Sequence, residues 1–277
     1  MREHEARHAG RVADTTGVVP NVTGAPVGEM VRRWRKRRHR SQLDVSIGAD
    51  LSARHLSFIE SGRANPSRAV IERLCDELDV PLRERNAFHL AAGLAPAYPE
   101  RPLADLGVAR SAVEVVLAGH EPNPALAVNV RWELLAANAA MQVFLDGIAE
   151  ELLEPPVNVL RATLHPAGLA PRIQNLGEWR AHTLRRVRRQ WERTAADGLP
   201  ELLAELESYP VHATGDAGGA SGHDLVVPMQ LAGEHQVLSF HYAITVFGAA
   251  RDVTLDEIAI ETFFPADAAT AAAIRVA

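Results

Sequence analysis

The chain has 277 residues, 47% of them hydrophobic, enough for two globular domains of ordinary size. It has no run near the roughly 18 consecutive apolar residues of a membrane span, no apolar stretch at its start that would act as a secretory signal, and one cysteine, Cys75, which excludes an internal disulfide and a cysteine-cluster metal site. The net charge of −6 conceals an asymmetry: residues 27–101 carry a net +4 and residues 102–277 a net −10, so only the first part suits a polyanion.

These features fit a cytoplasmic protein. Residues 1–25 are polar and without period, which predicts a disordered tail. A helix follows over 27–38, with Val27, Met30, Val31 and Trp34 as its apolar stripe. Its other positions and the next residues hold a dense basic set: Arg32, Arg33, Arg35, Lys36, Arg37, Arg38 and Arg40. They read either as a solvated face or as donors to DNA phosphates. Ser41 and Asp44 predict a capping box at the start of a helix over 42–49. After the joint Asp50-Leu51, Ser52 caps a third helix that stops at Gly62. Pro66-Ser67 opens a fourth helix to about residue 78, in which Cys75 is a packing residue. Pro81 opens a fifth, closed by Gly93. Five short helices make residues 26–98 a compact all-α domain.

The third helix explains the basic charge. Leu56 and Ile59 share the face that must pack on the domain, while Ala53, Arg54, Ser57 and Phe58 fall on the other side. An exposed phenylalanine beside an arginine suits a DNA major groove, where arginine forks onto guanine and an apolar group covers a thymine methyl. Ala53 keeps the helix tip slim. Gln42 at the start of the second helix, Arg63 and Asn65 after the third, and Ser67 before the fourth are candidate phosphate donors.

The proline-rich stretch "AGLAPAYPERPL" predicts a linker over 99–106, and the texture then changes. "PALAVNVRWELLAAN" alternates, with Leu126, Val128, Val130, Trp132 and Leu134 on one side, and predicts one half-buried strand. A helical middle includes "GEWRAHTLRRVRRQWERTA" and "LPELLAELESY". A glycine-rich loop, "ATGDAGGASGHD", precedes three β-rich runs, and "AGEH" predicts a hairpin between the first two. Residues 107–277 therefore read as an α+β domain, an antiparallel sheet with helices.

No GxSxG, GxGxxG, P-loop or HExxH pattern occurs, so no enzyme activity, cofactor or metal is expected. The twelve histidines, His165, His182 and His241 among them, do not pair at ligand spacing. An enzyme tethered to DNA would need a nucleophile–base pair or a metal motif, and the missing constellation argues against it.

"RSQLDVSIGADLSARHLSFIESGRANPS" resembles the phage-repressor or XRE-type helix-turn-helix, in the order Ser-Gln, tight turn, Ser, then Glu-x-Gly-Arg-x-Asn-Pro-Ser. The resemblance covers about residues 27–93 and implies binding to double-stranded DNA. One departure is Asp50 at the turn position that is usually glycine; aspartate tolerates the left-handed conformation better than most residues. Another is Ser46, where a small alanine usually packs.

"NPALAVNVRWELLAANAA", "LRATLHPAGLAPRIQNLGEWRAHTLRRVRRQ" and "LSFHYAITVFGAARDVTLDEIAIETFFPADAAT" resemble the MmyB-type ligand-binding domain over residues 107–277. This resemblance implies a PAS-like fold, with helices over one face of a central antiparallel sheet, an apolar cavity and a fatty-acid-like ligand. Candidate lining residues are Trp132, Trp179, Phe240 and Tyr242, although such stripes also suit a plain core. One of Arg172, Arg180, Arg185, Arg186, Arg188 and Arg189 would neutralise a ligand carboxylate, and the pattern does not say which. The alternative is that the second domain serves only dimerisation or a protein partner. A single helix-turn-helix contacts few base pairs, which predicts a homodimer on an inverted-repeat operator, paired through the second domain.

Overall fold

The structure, a computed structural model, describes residues 25–145, 147–210, 227–233 and 235–275. The tail expected over 1–25, apart from Ala25, and the glycine-rich loop over 213–224 lie outside the described residues. No described helix is long and apolar enough to cross a membrane.

The first unit has five helices, α1 (Val27–Arg37), α2 (Gln42–Gly48), α3 (Ala53–Glu60), α4 (Arg68–Glu77) and α5 (Leu82–Ala91). Three of them start at a serine whose hydroxyl accepts an otherwise unpaired backbone N–H. Ser41 accepts from Asp44 N at 3.1 Å, and the Asp44 carboxylate accepts from Ser41 N at 3.1 Å, closing the expected capping box. Ser52 accepts from His55 N at 3.1 Å, and Ser67 from Val70 N at 3.4 Å. Trp34, Val45, Leu56, Ile59, Leu74 and Phe88 form the core, with Cys75 buried among them. Burial pushes the Cys75 thiol up to about 12, so it stays protonated and unreactive. At Gly28 the backbones of α1 and α3 touch: a Cβ there would lie 2.1 Å from the Ile59 carbonyl oxygen. Asp50 adopts φ +52 at the turn before α3, as its residue type allows, and Ser46 is buried with its hydroxyl donating to Leu43 O at 2.8 Å.

The second unit is built on a five-stranded antiparallel sheet. Its strands are β1 (Ala125–Val128), β2 (Leu134–Ala137), β3 (Met229–Ala232), β4 (Val237–Val246) and β5 (Ala259–Pro265), in the order β2-β1-β5-β4-β3. Around it lie α6 (Val108–Ala118), α7 (Gln142–Leu145), α8 (Val159–Leu164), α9 (Leu176–Thr194), α10 (Leu199–Ser208), α11 (Val253–Asp256) and α12 (Ala268–Ala273). This is the α+β, PAS-like arrangement expected, with two corrections.

The first concerns "PALAVNVRWELLAAN", which is a hairpin and not one strand. The Asn129 Oδ1 accepts from Arg131 N at 2.9 Å and Glu133 N at 3.0 Å, and Trp132 takes φ +66, so the chain reverses between β1 and β2. The apolar alternation runs through the turn because Trp132 is itself buried there, 3% exposed. The second concerns the helices, which cover both faces. Leu126, Val128, Phe240 and Phe263 pack with residues of α7 to α10 on the inner face, while Ala125, Ala127 and Ile260 pack under Val113 and Leu117 of α6 on the outer one. Successive strand residues point to opposite faces, so small alanines on the outer side admit α6 close to the sheet.

The proline-rich connection is tied down at both ends. Tyr98 donates to Glu72 Oε2 at 2.9 Å, and Asn86 brackets Ala97 and Tyr98 by their backbone. Farther on, Pro99 O accepts from Val253 N at 2.9 Å. Two joints then hold the units together. At one, Arg37 at the end of α1 and Arg38 just after it meet the last carbonyls of α9. At the other, Arg83 of α5 pairs bidentately with Glu257 at 2.6 and 2.9 Å, and Asp256 of α11 accepts from Leu82 N at 3.3 Å, at the start of α5.

Candidate DNA interface and ligand cleft

The cap at Ser52 starts α3 so that Leu56 and Ile59 point inward, both fully buried. Ala53 and Arg54 are consequently exposed, and Ser57 and Phe58 half-buried, on the outer side. The Arg54 guanidinium lies 5.2 Å from the Phe58 ring centroid and that of Arg63 lies 6.0 Å from it, so one aromatic ring holds two cations at the surface. Arg63 is exposed in the loop after α3. Among the described residues, no hydrogen bond or ion pair joins 52–67 to anything beyond 98, which leaves this face clear of the second unit.

Three other candidates have partners inside the protein. The Gln42 amide donates to Glu60 Oε2 at 2.8 Å, Asn65 donates to Ala92 O at 3.3 Å, and Ser67 uses its hydroxyl to cap α4. A serine cap accepts through oxygen and still has its O–H to donate.

Glu60 organises the interface from within. It is 4% exposed at the end of α3 and receives Arg35 bidentately at 2.6 and 3.0 Å as well as Gln42, joining α1, α2 and α3. Burial alone would raise its carboxyl, but the hydrogen bonds from Arg35 and Gln42 and the charges of Arg35 and Arg32 outweigh that and hold it below the ordinary glutamate value.

The basic set of α1 is largely spent in the same way, which corrects its reading as a row of phosphate donors. Arg32 donates to Glu60 O, Arg38 to Leu78 O and Asp79 O, and Arg40 to Glu77, and Arg37 crosses to α9. The sequence displays the cations but not the helix-end carbonyls that folding brings to them.

The second candidate site is a cleft of about 660 Å³ between the inner face of the sheet, α9 and the start of α5. One stripe of α9 faces it at helical spacing: His182, Arg186, Gln190 and Arg193. Trp179 stands one turn earlier, stacked on His182 and edge-on to Tyr242 at 5.4 Å. His182 Nε2 shares a hydrogen bond with the Tyr242 hydroxyl. Burial, with Arg186, Arg185 and Arg189 close by, pushes the His182 pKa down, so the ring is neutral near pH 7. Gln190 donates to Val130 O at 3.0 Å, pinning α9 to the turn after β1. The facing wall is apolar, and it is not closed over: Ile244 is 44% and Val246 60% exposed.

Trp132 and Tyr242 line this cleft, while Trp179 sits against Tyr242 and His182 and Phe240 lies deeper, in contact with Phe144 and Phe263. The β4 face that carries Phe240, Tyr242, Ile244 and Val246 is thus solid core at one end and open cleft at the other.

Of the six candidate arginines, Arg186 and Arg189 border the cleft. Arg180 donates to the last carbonyls of α10, Arg188 pairs with Glu207, and Arg172 reaches the Ala232 and Val143 carbonyls. Arg193, Gln190, Ile244, Val246 and the α5 residues Arg83 and Glu84 were not foreseen as lining; the spacing 182-186-190-193 was the one local signal for the α9 members. Among the described residues, no group of three or more His, Cys, Asp or Glu is gathered to hold a metal ion.

Comparison with known families agrees with this division. The model described as the MmyB-like transcription regulator ligand binding domain matches residues 109–277, and a helix-turn-helix domain model matches residues 27–88. No curated protein matches the chain.

Proposed function

The chain belongs to the family of MmyB-like transcription regulators defined by that ligand-binding domain, and on this premise we propose that a fatty-acid-like molecule in the α9 cleft controls its hold on an operator. The coarser statement stands by itself: this is a ligand-responsive transcription regulator with a helix-turn-helix domain. In our reading it acts in the cytoplasm and performs no catalytic step. Ala53, Arg54, Ser57 and Phe58 read bases, and Gln42, Arg63, Asn65 and Ser67 hold phosphates. Two copies, paired through the second unit, bind an inverted repeat.

One observation carries the ligand reading. Ile244 and Val246, large apolar residues, stand exposed inside a 660 Å³ cleft that also holds cationic side chains of α9. An apolar wall with a few convergent polar groups is the usual composition of a small-molecule site. Of the carboxylates that border the cleft, Glu257 and Glu100 pair with Arg83, Asp256 accepts from Leu82 N and Glu84 faces Arg33 at 3.8 Å, which leaves Asp197 as a bordering acid without an ion-pair partner among the described residues. Among the described residues, Arg131, Arg189 and Arg193 at the cleft also have no ion-pair partner, so the unpaired cations outnumber Asp197, which favours an amphipathic anion over a cationic molecule. The start of α5 forms part of the wall, so an occupant touches both units, and any effect on DNA affinity has a reciprocal effect on ligand affinity.

Native mass spectrometry and organic extraction of the full chain test this. A copurified aliphatic acid, and stabilisation by ~2.7 kcal/mol at about 100 times the dissociation constant, are the expected results. Empty extracts and no thermal shift across a fatty-acid series would favour a second unit that serves only dimerisation or a protein partner. Light scattering with footprinting tests the dimer; a monomer that binds one half-site as tightly as two would exclude it.

A further inference from the structure

We propose that Phe58 is the positioning residue of the DNA face: its ring holds the guanidinium groups of Arg54 and Arg63 in place and leaves their N–H donors free for a base edge and a phosphate. This rests on the reading of Arg54 as a base contact and Arg63 as a phosphate contact, and goes further by naming what fixes them. Phe58 lies half-buried on the outer side of α3. The Arg54 guanidinium reaches it from four residues earlier on the same helix and lies 5.2 Å from the ring centroid. That of Arg63 comes from the following loop and lies 6.0 Å from the same centroid. The loop itself is built around Phe58. The Phe58 carbonyl oxygen accepts from the Ser61 hydroxyl at 3.2 Å, from Arg63 N at 2.8 Å and from Ala64 N at 3.1 Å, while Gly62, at φ +73, turns the chain back. One residue therefore fixes the loop by its backbone and both cations by its ring.

A ring is the holder that a DNA contact requires. Among the described residues, no hydrogen bond or ion pair reaches either guanidinium. Elsewhere in the unit carboxylates hold the arginines, Arg35 by Glu60 and Arg40 by Glu77. A carboxylate occupies the donors of the fork and repels phosphates, and its ion pair must break before DNA binds. An aromatic face attracts a cation through its quadrupole, carries no charge, and leaves the N–H edge of the guanidinium open. It also spares part of the rotamer entropy that each long side chain loses on binding. An aliphatic residue at this position would cover a thymine methyl equally well but would hold neither cation. Base reading and phosphate contact thus depend on the same side chain.

A duplex selected by the full chain from a random pool serves as operator, and the unselected pool as its control. Phe58→Leu should weaken operator binding about five- to thirtyfold, the worth of two such contacts between a cation and a ring. It should also relax preference at the base pair that Arg54→Ala relaxes, and lower the slope of log affinity against log salt by up to about 0.9. Phe58→Tyr, which keeps the ring, should hold both near those of the unmodified protein. With Arg54 and Arg63 both replaced by alanine, Phe58→Leu should weaken binding less than about twofold, because nothing is left to position. Circular dichroism and melting check folding, and Phe58→Met takes the place of Phe58→Leu if that variant does not fold. The full cost of Phe58→Leu persisting in the double-alanine background, or an unchanged base preference and salt slope, overturns the positioning role and leaves Phe58 as an apolar cover on a base. If Arg54→Ala relaxes no base pair and Arg63→Ala leaves the slope unchanged, the contact reading itself falls, and the positioning role with it.

Discussion

Arg37 of α1 donates to the Trp191 carbonyl at 2.8 Å and to the Glu192 carbonyl at 3.2 Å, so the helix-turn-helix unit caps the C-terminus of the helix that lines the cleft. Arg38 adds a bond to Arg193 O at 2.9 Å, and its guanidinium lies over Trp34 in the first core. The last carbonyls of a helix are unpaired and carry the negative end of its dipole, which is where cations bind best.

This joint predicts how the two units communicate. Replacing both Arg37 and Arg38 by alanine should leave ligand affinity nearly unchanged and reduce the ligand's effect on operator affinity, because the bonds that join α9 to the end of α1 are gone. Fluorescence anisotropy of labelled operator, with and without a fatty acid from the series above, measures the effect. A ligand response of the original size in the double variant would remove this joint from the coupling.

Base reading is tested at Arg54, exposed on the outer side of α3 and stacked on Phe58. Arg54→Ala should cost ~1–3 kcal/mol on the operator and relax preference at one base pair. Equal weakening on operator and random DNA, measured side by side, would show that Arg54 reads no base.

Phosphate contact is tested at Arg63. It is exposed, and its guanidinium lies 6.0 Å from the Phe58 ring centroid. Arg63→Ala should weaken binding to every sequence and lower the slope of log affinity against log salt by about 0.9. An unchanged slope would take Arg63 off the phosphate backbone.

Stability and its pH dependence are tested at Glu60. Glu60→Ala leaves Arg35, 14% exposed, without its counter-ion and should cost about 3–5 kcal/mol in urea unfolding. The folded Glu60 carboxyl is held below its ordinary value, so its contribution is complete above the ordinary value of 4.5 and is lost as pH falls through the depressed one. The unmodified protein should therefore lose stability below about pH 4.5, and the variant should lack this share of the acid loss. Identical acid limbs for the two proteins would mean that Glu60 does not set it.

What proved legible in the sequence was local. Ser41 with Asp44, Ser52 and Ser67 start their helices because a serine hydroxyl can reach a backbone N–H only three residues on, a relation visible in any linear reading. The inward pair Leu56 and Ile59 and the left-handed Asp50 follow from helical spacing and residue type in the same way. The helix-turn-helix face could be drawn from those facts alone.

Only the tertiary structure distinguished residues that look alike in the chain. Arg35 and Arg37 are two positions apart in one basic run, yet one is tied to a buried carboxylate on α3 and the other caps a helix of the second unit. Arg186 and Arg188 are equally close on α9, yet one is clamped by Trp132 and Glu261 and the other pairs with Glu207 at the surface. An arginine's partner is chosen by whichever carbonyl, carboxylate or ring folding brings within a few ångströms, and those groups come from distant parts of the chain. The cleft has the same origin: β4 continues past the packed core, and α5 and α9 stand over its open end, a shape that belongs to the assembled units and to no stretch of residues.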